Sequence, residues 1–452
     1  MKRPRIGSLA LASTLALGAG LALGLGLAGC AHAPVPDVPA LVGGAPAGEA
    51  GRVVVIAIAN PVGELPLSSG STPGLYSKKP GYVVGTRADE VLAAVAQAHG
   101  LRPLDSWPIR ALGVHCATFL IPDGASRDAV LAALARDPRV ALAQPLNEFD
   151  TLAAPASLSA PAPAVPVPAK GPESLYNDPY FPLQRGLLAL GVPQAHRCAR
   201  GDGVRVAVID TGVDTAHQDL AGTAADTANF VDRDGARFQR DRHGTEVAGV
   251  IAARPDNATG IVGIAPGARL LALKACWERA DGASTCNSFT LSQALAAAID
   301  RGAQVINLSL GGPADELLTQ LLRVALAHGT VIVGAVPPGG ARDGFPLGVP
   351  GVIAVQDGAT PASTTQGPLG APAREVLTLM PGGRYDFASG TSMAAAQVSG
   401  IAALLLQHHP RLDGSRIEQL LRDSRGGDTL AQVNACRALE ALEPGCGCSA
   451  VR

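Results

Sequence analysis

Aromatic side chains are scarce in this chain, at 3% of its residues, and charge is thin as well, with Asp, Glu, Lys and Arg together at 16%. The first shortage leaves the core to Ala, Val, Leu and Ile and offers no platform on which nucleobases stack. The second comes with no excess of either sign, since 36 Lys and Arg face 38 Asp and Glu for a formal net charge of -2. A phosphate backbone finds no overall positive field to hold it, so nucleic-acid binding by bulk charge is excluded. What the chain has in quantity is apolar residues, 47%, together with 54 Gly and 36 Pro in 452 residues. That composition excludes a wholly disordered polyelectrolyte and predicts a real core with many turns.

Lys2, Arg3 and Arg5 precede an uncharged, mostly apolar run from Ile6 to Leu27, which passes into Leu27-Ala28-Gly29-Cys30. A basic head, an apolar stretch and a small-residue site before a Cys together resemble a bacterial lipoprotein signal peptide over residues 1–29. The resemblance implies export to the bacterial cell envelope, with Cys30 lipidated and the chain anchored to a membrane on the outer-membrane or periplasmic face. A plain transmembrane anchor is the competing reading, since about 20 apolar residues span a bilayer; Gly18, Gly20, Gly24 and Gly26 count against it. Export would place the remaining cysteines, Cys116, Cys198, Cys276, Cys286, Cys436, Cys446 and Cys448, in an oxidising compartment, and their odd number leaves at least one unpaired within the chain. Cys276 and Cys286 enclose a short polar loop and are expected to form a disulfide. Cys446 and Cys448 offer a weaker alternative, a zinc site, with no His nearby to complete it.

Composition divides the rest of the chain. Residues 30–51 are Ala/Pro/Gly-rich without period and read as a flexible tether. Residues 52–150 carry strand-like runs at Val53–Ala59, Val114–Ile121 and Val140–Phe149, with helical spacing at Ala88–His99 and Arg127–Ala135, the order of a small α+β domain. Residues 151–173 hold Pro155, Pro161, Pro163, Pro166, Pro168 and Pro172 among alanines and read as a stiff, extended linker. From 174 to 435 the pattern is α/β. Val204–Ile209, Leu270–Lys274, Val305–Leu308, Val331–Val333 and Val352–Val355 are the apolar runs of a buried parallel sheet, and Ser292–Arg301 and Glu316–His328 read as crossover helices. A Cys-containing tail, 436–452, closes the chain. The fold class is therefore α/β, a doubly wound parallel sheet preceded by a small α+β domain, and its sites belong at the carboxyl ends of the strands.

Chemistry-bearing residues sit there. The first strand of the α/β region ends in Asp210-Thr211-Gly212-Val213-Asp214; Arg242-His243-Gly244-Thr245-Glu246 opens a small-residue helix; Ser389-Gly390-Thr391-Ser392-Met393-Ala394 puts a Ser after a Gly turn at a helix start. Taken singly, these are a strand-end cap, an N-cap neighbour and a turn residue. Together, Asp, His and Ser in this order form a known hydrolytic sequence: a base takes the serine proton, a carboxylate fixes the imidazole, and the helix start offers an N–H to an oxyanion. At these motifs, over roughly residues 174–410, the chain resembles the subtilisin-like serine peptidases, the subtilases.

The resemblance implies a subtilisin-like fold and a serine endopeptidase acting on peptide or protein substrates through an acyl-enzyme, with Asp210, His243 and Ser392 as triad. It implies no cofactor for the chemistry. Ser309, Leu310 and Gly311, within Asn307-Leu308-Ser309-Leu310-Gly311-Gly312, would bind an extended substrate by strand pairing. Ser392 N–H and the Thr391 hydroxyl would serve the oxyanion. Asp219 and Asn257 match a calcium loop in position, so a structural calcium is implied, with solvated loop polars as the alternative. Residues 52–150 are similar in size and element order to the family's propeptide, an inhibitor cut off on maturation, with an unrelated accessory domain as the alternative. Cleavage between Phe149 and Ser174 would then release the catalytic part from the anchor. One departure touches the chemistry: Pro338 stands where the family carries an oxyanion Asn. A non-catalytic peptide-binding protein of the same fold is thus the second reading.

Overall fold

Val53–Ala59 (β1) is buried along all but its last residue, because it has a core on each face. Val54, Ile56 and Ile58 point to the helices Gly81–His99 and Arg127–Leu134 of their own region, while Val53, Val55 and Ala57 join a cluster with Phe289, Leu317 and Leu321 from the α/β region. Arg102–Ile109 (β2), Val114–Leu120 (β3) and Leu142–Pro145 (β4) complete an antiparallel sheet in the order β2-β3-β1-β4. β2 was not expected from the sequence, since Pro103 and Pro108 break its pattern; it lies at the sheet edge, where proline costs no ladder bond. The last strand of the region, Glu148–Thr151 (β5), leaves this sheet altogether. These positions come from a computed structural model that describes residues 48–60, 81–152, 175–232, 234–279, 282–360, 366–426 and 432–446. The signal-peptide motif, most of the tether, the proline-rich stretch and Cys448 lie outside them.

The α/β region contributes Arg205–Asp210 (β6), Ala224–Asn229 (β7), Arg269–Lys274 (β8), Cys276–Glu278 (β9), Ser284–Asn287 (β10), Val305–Leu308 (β11), Leu310–Gly311 (β12), Val331–Ala335 (β13), Ile353–Asp357 (β14) and Leu369–Ala371 (β15), then the antiparallel pair Val376–Met380 (β16) and Arg384–Ala388 (β17). The central sheet is parallel in the order β15-β14-β13-β11-β6-β8-β7. Successive residues of β6 face opposite cores: Val206 and Val208 lie with Val247, Ile251, Val398 and Ile401, and Ala207 and Ile209 with Leu291, Leu295 and Leu318. Helices Arg242–Ala252 and Thr391–His408 therefore cover one face, and helices Ser288–Asp300 and Glu316–Ala327 cover the other. Strand order reverses beside β6, the switch point at which doubly wound sheets carry their sites.

A further sheet, in the order β12-β5-β10-β9, joins the two regions. β5 lies at its centre, antiparallel to β12 on one side and to β10 on the other. Thr151 and Leu152 thus belong to structure that the sequence assigns to the linker. The C-terminal boundary shifts as well: helix Ala435–Glu440 crosses it with Cys436 and Leu439 buried, and a Cys198–Cys446 disulfide ties the end of the described chain to the start of the α/β region. Cys446 is therefore not a zinc ligand. Cys276 and Cys286 are bonded, Cys436 is also disulfide-bonded, and Cys116 is the free, buried cysteine among the described residues.

Candidate active site

β6 and helix Arg242–Ala252 meet where Asp210 leaves the sheet. Asp210 Oδ1 lies 2.7 Å from His243 Nδ1 and accepts the Thr211 N–H at 2.6 Å, and Asp210 and His243 are only 1% and 4% exposed. The approach depends on Gly244: a Cβ there would stand 2.5 Å from the Gly212 carbonyl oxygen and 2.7 Å from that of Thr211. Asp241 fixes the helix start from below. Its Oδ2 accepts the Gly212 N–H at 2.8 Å and pairs with the buried Lys274 ammonium, and Lys274 is Asp210's neighbour in the β6–β8 register. A lysine inside the apolar run Leu270–Ala275 was a readable signal of this pair, since lysine is almost never fully buried without a partner.

Burial alone would lower the His243 pKa, but the charge and hydrogen bond of Asp210, with Glu246 and Glu278 adding to them, hold it above the ordinary imidazole value. Glu246, one turn along the same helix and itself pushed up by burial, is bonded to Arg242. His243 Nε2 is buried and makes no hydrogen bond, so the imidazole presents one unengaged ring nitrogen.

Ser392 opens the helix Thr391–His408 after Gly390, whose φ of 140° is closed to a side-chain-bearing residue. Its Oγ donates to the Ser309 carbonyl at 3.2 Å, not to His243. Helices Arg242–Ala252 and Thr391–His408, which carry His243 and Ser392, pack against one another. A buried polar chain fixes the serine helix on β11: Ser399 donates to Asn307, Asn307 to the Ser309 hydroxyl, and that hydroxyl to the Ser392 carbonyl, at 2.9, 2.9 and 3.2 Å.

The same Ser309 carbonyl accepts the Leu152 N–H at 3.0 Å. Leu310 pairs with Thr151 and Gly311 with Asp150, so Ser309, Leu310 and Gly311 grip a peptide strand that is the protein's own. The Leu152 side chain rests against Gly311, 3.6 Å from where a Cβ would stand, and Gly311 also bounds a cavity of about 250 Å³ with Ala335, Pro337, Asp343 and Phe345. Phe149 is 1% exposed, edge-on to Phe345 at 5.5 Å, and fills the space that a Cβ on Gly312 would take. The residues filling the cleft were not foreseen individually, because an extended strand ending in a polar, Ala-rich stretch looks like linker.

Two expected roles change. The Thr391 hydroxyl donates its single proton to the Val336 carbonyl at 2.8 Å, so it is not available to an oxyanion. Asp219 is fully buried, and its oxygens already accept from Asn257 Nδ2, the Thr259 hydroxyl and the Ile261 N–H at 2.8, 3.0 and 2.9 Å. Asn257 turns its amide NH₂ toward that carboxylate and its oxygen toward Thr259 N–H. Calcium takes oxygen ligands; this knot offers a donor and a saturated carboxylate, and as folded it does not fit the ion. Among the described residues no cluster of His, Cys, Asp and Glu fits a metal. Pro338 is exposed beyond β13, and the Gly340 N–H behind it is spent on Pro337 O at 3.0 Å.

An aspartate-held imidazole at a strand end, with a serine at a helix start across the switch point of a parallel sheet, defines an α/β serine hydrolase. Residues 201–437 match the profile of the subtilase family, more than half of the chain. Thermitase of Thermoactinomyces vulgaris is 36% identical over 239 residues, covering 51% of this chain and 84% of thermitase. Subtilisin E of Bacillus subtilis (strain 168) is 32% identical over 53% of this chain and 65% of its own length, and the thermophilic serine proteinase of Bacillus sp. (strain AK1) 36% over 52% and 56%. Among solved structures, fervidolysin from Fervidobacterium pennivorans, described as a keratinolytic enzyme related to subtilisin, aligns with a TM-score of 0.59 and 25% identity over 78% of this chain and 59% of that one. The chain belongs to the subtilase family and is a subtilisin-like serine endopeptidase.

Proposed function

We propose that the protein hydrolyses peptide bonds with Ser392 as nucleophile, His243 as general base and Asp210 as the group that orients and balances the imidazolium, and that its first substrate is itself. The observation that carries this is the strand Glu148–Leu152, seated on Ser309–Gly311 with its last amide N–H on the carbonyl that also receives the Ser392 hydroxyl. In this reading the scissile bond follows Leu152. Rotation of Ser392 off Ser309 onto His243 Nε2 lets the imidazole take the hydroxyl proton as Oγ attacks the Leu152 carbonyl. The Ser392 N–H at the helix start donates to the developing oxyanion, and His243 returns the proton to the leaving amine. A water deprotonated by His243 then attacks the acyl ester, and Ser392 Oγ leaves with the proton as the Leu152 carboxylate forms. Residues 52–152 then act as a propeptide that stays in the cleft as product, held also by Trp107 against Phe289 and by Gln144 and Asn147 on Asp315.

Preferred substrates carry an apolar residue before the scissile bond and an aromatic one three positions earlier, as Leu152 and Phe149 do. The protein is exported and lipid-anchored through Cys30. Its disulfides suit an oxidising compartment, and cleavage after Leu152 leaves the lipid with the propeptide, so the catalytic part is freed once residues 52–152 leave the cleft. Pro338 in place of a donor favours the second reading, a peptide-binding protein without turnover. Labelling with a serine-directed phosphonate decides between them: adduct on Ser392 that disappears in Ser392→Ala supports the enzyme, and no adduct in folded protein freed of residues 52–152 supports the binder.

A further inference from the structure

When the cleft is empty, the sheet β12-β5-β10-β9 loses its central strand. What remains of its far wall is β9 and β10 alone, a hairpin of three and four residues. Two-stranded hairpins of that length are marginal in water, so an unsupported wall would have to order each time a peptide arrives. Cys276 and Cys286 face each other across this hairpin and are bonded. Both sulfurs are buried, in the same apolar cluster as Phe149 and Phe289. The wall contacts the bound strand away from the reacting carbonyl. Thr285 pairs with Asp150, Cys286 with Phe149 and Asn287 with Glu148, and the Thr285 hydroxyl donates to the Phe149 carbonyl at 3.1 Å. Arg279 lies 3.6 Å from the Asp150 carboxylate.

Resting on the proposed cleavage after Leu152, we infer that the Cys276–Cys286 disulfide is a positioning element: it holds the hairpin β9–β10 in shape for the third to fifth residues before the scissile bond. The disulfide keeps it formed between turnovers, so long substrates meet a prepared wall. Substrates too short to reach β10 gain nothing from it. Arg279 adds a preference for an acid at the third residue, the place of Asp150.

The test compares processed wild type with the Cys276→Ala/Cys286→Ala double variant on two substrates, a Glu-Phe-Asp-Thr-Leu anilide and an acetyl-leucine p-nitrophenyl ester, with active sites counted by phosphonate titration. With about one to two backbone bonds' worth of preorganisation lost, kcat/KM on the long substrate falls about tenfold, chiefly through KM, and the ester is unaffected. Thr285→Val, which leaves the disulfide in place, gives about a twofold to tenfold loss confined to the long substrate. An equal loss on both substrates, or no loss on either, overturns the inference while leaving the serine chemistry intact. Wild type that turns over neither substrate overturns the proposed function and this inference with it. If the double variant does not fold, Thr285→Val decides alone by the same ratio.

Discussion

Phe149→Ala should unseat the propeptide strand without unfolding the protein. The ring is buried to within 1%, meets Phe345 edge-on and occupies the space beside Gly312. Losing a buried Phe side chain costs about 3–5 kcal/mol in a core, of which an aromatic edge contact is about 0.5–1.5. Strand docking therefore weakens by about 10²–10⁴-fold, while Trp107–Phe289 and the Asp315 cluster still hold the remainder of residues 52–152 in place. The assay is the rate at which a small phosphonate labels Ser392 in protein that retains this domain. The rate should rise by that factor until the cleft is open most of the time, with unchanged circular dichroism. Phe149→Leu should fall between. Gly312→Ala places a Cβ 2.4 Å from the Phe149 ring carbon, so it should also open the cleft, and adding Phe149→Ala to it should cost far less than the two effects combined. Labelling of Phe149→Ala at the wild-type rate would refute the claim that this ring holds the strand over the serine.

Replacing Pro337→Gly and Pro338→Asn together restores a side-chain amide beyond β13 and should raise kcat by about tenfold or more with KM little changed; the scale is carried over from subtilisin itself, where losing one oxyanion donor lowers kcat by about 10²–10³. Because His243 must be neutral to act and its pKa is held above the ordinary value, kcat/KM should be lost as pH falls through a limb above that value; Glu246→Gln removes one of the charges facing the ring and should move the limb to lower pH. Lys274→Met leaves the buried Asp241 carboxylate without its cation and should destabilise by about 3–5 kcal/mol, read as a drop in the denaturant midpoint. Adding Asp241→Asn to it should recover part of that loss.

The parallel sheet was legible because buried strands write themselves as short apolar runs: β6, β8, β11, β13 and β14 fall where Val, Ile and Leu cluster. The motifs around Asp210 and His243 anticipated their contact, and the Gly turn before Ser392 its place at a helix start; the Cys276–Cys286 bond was legible through spacing. β5 was not, since its four residues alternate too briefly to declare a strand, and its order comes from partners more than a hundred residues away in β10 and β12. Thr391 and Asp219 misled for a related reason: position in a motif fixes where a hydroxyl or carboxylate sits, but local partners such as Val336 O and Ile261 N–H decide whether it is free.

Intact mass and N-terminal sequence of purified wild type and Ser392→Ala test the central claim most directly. Self-cleavage by Ser392 predicts a new N-terminus immediately after Leu152 in the wild type and a chain uncut at that bond in the variant. The same cut in both proteins, or none in a wild type whose Ser392 also resists a phosphonate, would contradict it.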